Sequence, residues 1–209
     1  MKELEAINTL LSIIGEAPID QLSDITVNEI TDSSLARRTL YEVSRDVQAE
    51  GWGFNTDYDV ALAMDSSNQF PLPDNALRVD FSPNTYPEQQ YVARGNRVYD
   101  RSTQRYDFGS DSDTLTVDSM VRHLDWDELP HAAQQYIAIR AGRIFSDRYI
   151  NSNVVFAYTV QDETYARTQL IRAEESGLQN NMLWGNDRGT SSGLGFVPSS
   201  GTRHRYRVN

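Results

Sequence analysis

The sequence predicts an α+β fold: a four-helix bundle, an antiparallel β sandwich or barrel-like domain inserted between its two helical pairs, and an extended C-terminal arm. Three observations predict it. Apolar residues recur at spacings of three and four before residue 51 and again after Pro130. Between about 57 and 122 the spacing shortens to two. Beyond 178 the composition turns to Gly, Ser and Arg. The divisions are 1–56 for the first helical pair, 57–124 for the β domain, 125–177 for the second pair and 178–209 for the arm.

In chain order, Leu4, Ile7, Leu11 and Ile14 form the stripe of a first helix, which Gly15 caps and Pro18 keeps from resuming. Asp32 is the expected N-cap of a second helix, with Ala36, Leu40, Val43 and Val47 as its stripe up to Gly51. Strands follow at Val60, Leu62 and Met64, at Leu77, Val79 and Phe81, and at Leu115 and Val117. Tyr91-Val92 and Val98-Tyr99 flank Arg94-Gly95-Asn96-Arg97, a hairpin signal. Five or six such strands, separated by Ser66-Ser67-Asn68, Pro83-Asn84 and Gly109-Ser110, read as a small sandwich or barrel. Ala133, Ile137, Ala141 and Ile144 mark a third helix reaching about residue 149. A fourth carries Tyr158, Tyr165, Ala166, Leu170 and Ala173 and is expected to end at Gly177. Neither helical pair covers its own apolar stripe, so the two pack together.

Charge narrows the function. The 209 residues hold 19 Lys and Arg against 30 Asp and Glu, a formal net charge of −11, which repels phosphate. There is no cysteine, so disulfides and Cys-based zinc sites are excluded. No apolar run approaches the roughly 18 residues of a membrane span, and the acidic amphipathic start lacks the order of a signal peptide. The expectation is a soluble protein made inside a cell. Lys2 is the sole lysine among 18 arginines. That bias suits packed, partner-facing ion pairs, though codon usage in the source genome explains it equally well.

The arm has its own character. Nine of the 17 residues from Gly185 to Gly201 are Gly or Ser. Four arginines against Asp187 give residues 178–209 a charge of +3 and leave −14 on residues 1–177. Met182, Leu183, Trp184, Phe196 and Tyr206 supply apolar anchors among Arg188, Arg203, Arg205 and Arg207. These nine are the candidate partner-binding residues, suited to ordering on an acidic neighbour. The other reading is that Trp184 folds back on its own domain.

Chemistry is faint by comparison. Asp125, Asp127 and Glu128 precede the third helix, and Asp107, Asp111 and Asp113 lie in a turn. A glycan hydrolase needs two carboxyls about 5–9 Å apart with one pKa raised. Acids before a helix and in turns are favoured for structural reasons as well. Asp111-Ser112-Asp113 opens like a calcium loop but lacks its glycine and terminal glutamate. The histidines, His123, His131 and His204, have no third ligand spaced to join them, and Gly193-Leu194-Gly195 follows no strand. No catalytic, metal or cofactor site is assigned. Tyr58, Tyr86, Tyr91, Tyr99 and Tyr106 would suit a carbohydrate-binding face, and equally serve as strand formers.

Several strings, in order, resemble the tail tubular protein A family, the head-to-tail adaptors of short-tailed bacteriophages. They are Ala6-Ile7-Asn8 with Ile14-Gly15-Glu16-Ala17-Pro18, then Gly51-Trp52-Gly53-Phe54-Asn55, then Tyr91-Val92 to Val98-Tyr99-Asp100-Arg101. Asp125-Trp126-Asp127-Glu128-Leu129-Pro130 follows, then Ala141, Arg143, Phe145 and Arg148, and finally Asn181-Met182-Leu183. The resemblance spans residues 3–184 and matches nothing beyond Ser192. It implies a non-enzymatic virion protein, synthesised in the host cytoplasm and assembled as a twelve-membered ring. That ring would sit between the portal protein and the hexameric nozzle of tail tubular protein B, with genomic DNA threading its hole unbound and no membrane involved. An acidic wall fits such a conduit, since each phosphate neutralised by Lys or Arg would add affinity. Its arginines would pair with acids of neighbouring subunits. The competing readings are a tail-associated glycan hydrolase or a carbohydrate-binding module.

Overall fold

A computed structural model of the chain describes residues 1–25, 30–81, 90–109, 114–149 and 160–182. Among the described residues it is a mixed fold of four α-helices and two small antiparallel sheets.

Helix α1 spans Glu3–Ile13. Its buried side chains are Ala6, Ile7, Leu10 and Leu11, so the apolar face is turned slightly from the expected stripe. Leu4 and Ile14 are only half-buried. The helix ends in a Schellman turn, with Gly15 at φ +80° and the Glu16 amide donating to the Leu11 carbonyl at 3.1 Å. Helix α2, Asp32–Ala49, buries Ala36, Leu40, Val43 and Val47 as its pattern predicts. Thr31, rather than Asp32, is the N-cap: its hydroxyl accepts the Ser34 amide at 3.2 Å, and the Ser34 hydroxyl accepts the Thr31 amide at 3.1 Å.

The sheets follow. Strands β1 (Thr56–Ala63), β2 (Ala76–Asp80) and β5 (Thr114–Arg122) form one sheet in the order β1-β5-β2, and β3 (Tyr91–Arg94) and β4 (Arg97–Asp100) form the other. The expected hairpin closes through Gly95 at φ +63°. The β1–β5 ladder breaks at Asp59, whose φ is +52°. The sheets do not close into a barrel. The β3–β4 hairpin is four residues deep and is extended by residues 70–72, through bonds between Val98 and Phe70 and between Leu72 and Asn96, and by a bridge between Asp100 and Arg105. Both sheets contribute to one apolar cluster of Leu62, Phe70, Leu72, Val98, Leu115, Val117 and Met120. At the end of β5 alternation gives way to two adjacent buried residues, Met120 and Val121, where the strand passes under α2.

Helix α3 is His131–Tyr149 and α4 is Val160–Met182. All four helices share a second core in which Tyr136, Ile137, Phe145 and Leu170 are at most 1% exposed. Each such side chain stabilises the fold by about 1.5–3 kcal/mol. Helix α4 continues through Gly177, where its end was expected. One interior glycine costs about 1 kcal/mol relative to alanine, and no proline follows to enforce a stop. Over residues 160–176 of α4 only Ala166 and Leu170 are buried, while Tyr165 is 67% exposed and Ala173 is exposed as well. The stripe expected there is therefore narrower, and Tyr158 lies outside the described residues.

Candidate functional site

Polar groups collect where the helices meet the three-stranded sheet. Gln48, fully buried in the last turn of α2, accepts the Leu124 amide at 2.7 Å. It donates to the Leu124 carbonyl at 3.1 Å and to the Ser44 hydroxyl at 3.0 Å. Asn55 donates to the carbonyls of Gln48 (2.9 Å) and Arg122 (2.8 Å) and accepts the Trp52 amide at 2.9 Å. The Trp52 indole donates to the Val47 carbonyl at 2.8 Å. Two amides thus lock the end of α2 to the exit of β5. A second pin sits at Asn8, which bonds both backbone groups of Ile19 and folds the 14–19 loop against α1.

The arginines are used heavily inside the chain. Glu50 holds Arg167 at 2.8 Å and Arg140 at 3.7 Å, and Glu163 holds Arg143 and, at 3.8 Å, Arg140. The Tyr136 hydroxyl accepts from Arg140 (3.1 Å) and Arg167 (3.2 Å). Bonds from Glu50 first, then Tyr136, hold the Arg167 guanidinium still more firmly protonated than usual. Glu174 accepts the Gly53 amide, and Arg148 pairs with Glu42 across α3 and α2 at 2.9 Å. Arg38, Arg45 and Arg172 are exposed and outside these pairs.

The candidate chemical groups are mostly in structural use. The Glu128 carboxylate accepts the Asp125 amide at 3.0 Å and closes the turn at Trp126–Glu128. Asp107 accepts the Gly109 amide at 2.8 Å. Among the described residues no group of three His, Asp or Glu side chains is placed to hold a metal ion. Tyr91 packs edge-on against Phe81 and Phe108, and Tyr99 packs against Tyr106 with Arg94 over its ring. Tyr58 stays open at 51% exposure. Asp111, Asp113, Tyr86 and His204 lie outside the described residues, as do Leu183, Trp184, Arg188, Phe196, Arg203, Arg205, Tyr206 and Arg207 of the arm. Met182 is the last residue of α4.

One open groove of about 780 Å³ lies between the outer face of α2, Glu3 of α1 and the segment 123–127. Ile25, Leu35, Leu40, Leu124 and Trp126 supply apolar lining, and Asp125 and Asp127 border it. Arg37 pairs with Glu3 at 3.0 Å on its rim. The His123 ring, half-buried, sits 5.0 Å from that of Tyr41, with Nε2 unpartnered. Burial first, then Arg45, push its pKa below the ordinary 6.5, against the pull of Asp125. The groove offers shape and rim charge, without a pair of poised acids.

The sequence profile of the tail tubular protein family matches residues 4–179, from α1 to the last turns of α4. The chain belongs to the tail tubular protein family. As a tail tubular protein it is a structural component of the phage tail and therefore of the virion. Comparison with curated proteins returns no match. No helix among the described residues of this tail tubular protein is long and apolar enough to cross a membrane. Three of the strings that carried the resemblance fall at joints: Gly51 to Asn55 at the α2–β1 turn, Asp125 to Pro130 between β5 and α3, and Arg143 and Arg148 in ion pairs between helices. Gln48 carries the joint too, and sequence reasoning missed it because an amide inside a helix gives no periodic signal. Its only trace is a polar residue beside the apolar stripe position Val47.

Proposed function

We propose that this protein is a ring-forming head-to-tail adaptor, in which twelve copies join the portal vertex to the tail nozzle and surround the passing genome. It acts by fit and not by catalysis. The observation that carries this reading is the family match across every helix and strand of the described residues, over residues 4–179. The charge supports it: a body of −11 overall lets a polyanion slide, because few phosphates can be neutralised along its walls. So does the Asp125–Glu128 cluster, whose Glu128 carboxylate is occupied by backbone. In this reading the four helices act as a bundle from 1–56 and 125–177, with 57–124 as the inserted β sandwich. The basic arm, from Leu183 onward, docks on the portal through Trp184, Phe196 and Tyr206 with its four arginines.

Class-averaged electron micrographs of the purified protein, alone and mixed with portal protein, test the reading. Rings of uniform size, either free or seated on the portal, are expected. A stable dimer that ignores the portal overturns it.

A further inference from the structure

Resting on the ring reading above, we propose that neighbouring copies join head to tail through the arginine–tyrosine face of the β3–β4 hairpin, which seats on the acidic loop 16–24 of the next copy. Seven described arginines have no carboxylate partner among the described residues. Four of them, Arg94, Arg97, Arg101 and Arg105, fall within twelve residues on the hairpin and the loop that continues it. All four are exposed. Most of the arginines that the fold leaves outward are therefore gathered in one place.

The strand register sets their direction. Arg94 stands opposite Arg97 and Val92 opposite Tyr99, and the bond from the Arg101 amide to the Gln90 carbonyl carries the ladder one pair further. Val98 is buried in the sheet cluster, and the buried Asp100 carboxylate accepts the Ser102 amide at 2.8 Å and the Thr103 hydroxyl at 2.7 Å. Successive side chains alternate, so Arg97, Tyr99 and Arg101 point away from that cluster. Arg94 lies 3.8 Å over the Tyr99 ring, and Tyr106 meets Tyr99 edge-on at 4.8 Å. Arg97 donates to the neutral Gln69 side chain. Three guanidinium groups and two aromatic rings thus share one face, and none of the three has a described carboxylate within ion-pair distance. Arginine and tyrosine are the side chains that anchor protein contacts, and a guanidinium stacked on a ring keeps its donors for a carboxylate.

Charge, apolar surface and mounting together select the occupant. A net charge of −11 opposes a polyanion, and a second copy supplies the carboxylate-rich protein surface that the face fits. Residues 3–36 hold seven acids and no lysine or arginine. Within them Glu16, Asp20 and Asp24 are exposed and outside the ion pairs of the described residues, Asp24 also closing its own turn on the Gln21 amide. Ala17 and Pro18 add exposed apolar surface between Glu16 and Asp20, and Asn8 pins the loop through Ile19. Arg37, the next cation along the chain, is held by Glu3. The loop packs on the helical core through Ile19, Leu22 and Ile25, whereas the hairpin packs on the sheet core through Tyr91 and Val98. Unlike surfaces mounted on separate cores make a heterologous contact, the kind that propagates and closes into rings, whereas a self-complementary surface makes dimers.

The cysteine-free chain allows a direct test. Asn96→Cys at the hairpin tip and Ala17→Cys in the loop are introduced together and treated with a short bismaleimide, in the free protein and with portal protein added, with circular dichroism confirming the fold. A ladder extending past dimer is expected. A mixture of the two single variants should give dimers and stop there. Adding Arg94→Glu with Arg101→Glu to the double variant should cut the ladder about tenfold at low salt. Adding Glu16→Arg with Asp20→Arg to that chain should restore it, a rescue that a merely misfolded hairpin would not show. The proposal is overturned if either single variant alone yields dimers, if the double variant cross-links only within one chain or not at all, or if the reversed charges fail to rescue. Duplex DNA bound at about 50 mM salt and lost with Arg94→Ser and Arg97→Ser, in the absence of a ladder, would overturn it in favour of phosphate. Rings seen by microscopy without the ladder would remove this interface and leave the ring, and the absence of both would remove both.

Discussion

Gln48 and Asn55 show how a single amide can join two kinds of structure. Each is buried to within 3% and each satisfies backbone groups that face no regular partner at the end of α2 and the exit of β5. Replacing Gln48→Leu leaves the Leu124 amide and carbonyl without their bonds in a partly buried site. The expected loss is about 1–3 kcal/mol, read as a lower urea midpoint at unchanged slope. His123 makes a second prediction. Its pKa is lowered in the folded state, so between that value and the ordinary 6.5 the unfolded chain binds more protons. Stability therefore falls as pH drops through 6.5, with Tyr41, Arg45 and Asp125 around the ring. His123→Phe keeps the contact with Tyr41 and abolishes the titration. Thermal unfolding should show it near neutral at pH of about 8 and more stable than the parent at about 5.5.

At the scale of elements, α4 is the informative case. Over residues 160–176 it buries only Ala166 and Leu170, little apolar surface to hold those turns by packing alone. The remainder is polar: Arg167 with Glu50 and Tyr136, Glu163 with Arg140 and Arg143, and Glu174 on the Gly53 amide. Arg167→Met should keep the stem's packing and release the ties, with a stability cost of about 1 kcal/mol because the pairs are partly exposed. Amide exchange should quicken throughout α4 and stay unchanged in α2, and uniform acceleration of both helices would refute this division. Helix positions were legible because apolar spacing is local, and α2 follows its pattern residue for residue. The stop at Gly177 was misread, since a lone glycine weakens a helix without ending it.

For the whole molecule, charge and surface pattern matter more than any pocket chemistry. The chain has 30 acids and 19 bases, and among the described residues seven arginines (37, 78, 122, 140, 143, 148 and 167) are paired with its own acids. Deleting residues 183–209 begins just beyond α4, so the thermal melt of the four helices should be unchanged while portal docking, followed by co-sedimentation, weakens. Docking that survives the deletion would return the assembly role to the helices and sheets. In the sequence the arginine excess suits partner-facing ion pairs and is explained equally well by codon usage. The structure turns much of it inward, because α3 and α4 bring Arg140, Arg143 and Arg167 against Glu50 and Glu163.

By itself the sequence determined the α+β class, the order of helices and strands, the β3–β4 hairpin and the family, all of which depend on neighbours within a few residues or on strings read in order. The Gln48–Asn55 joint, the two open sheets in place of a barrel and the groove beside Tyr41 were decided only by tertiary structure. Each joins groups tens of residues apart, such as Gln48 with Leu124, and no local spacing records which distant backbone groups will face one another once the chain is packed.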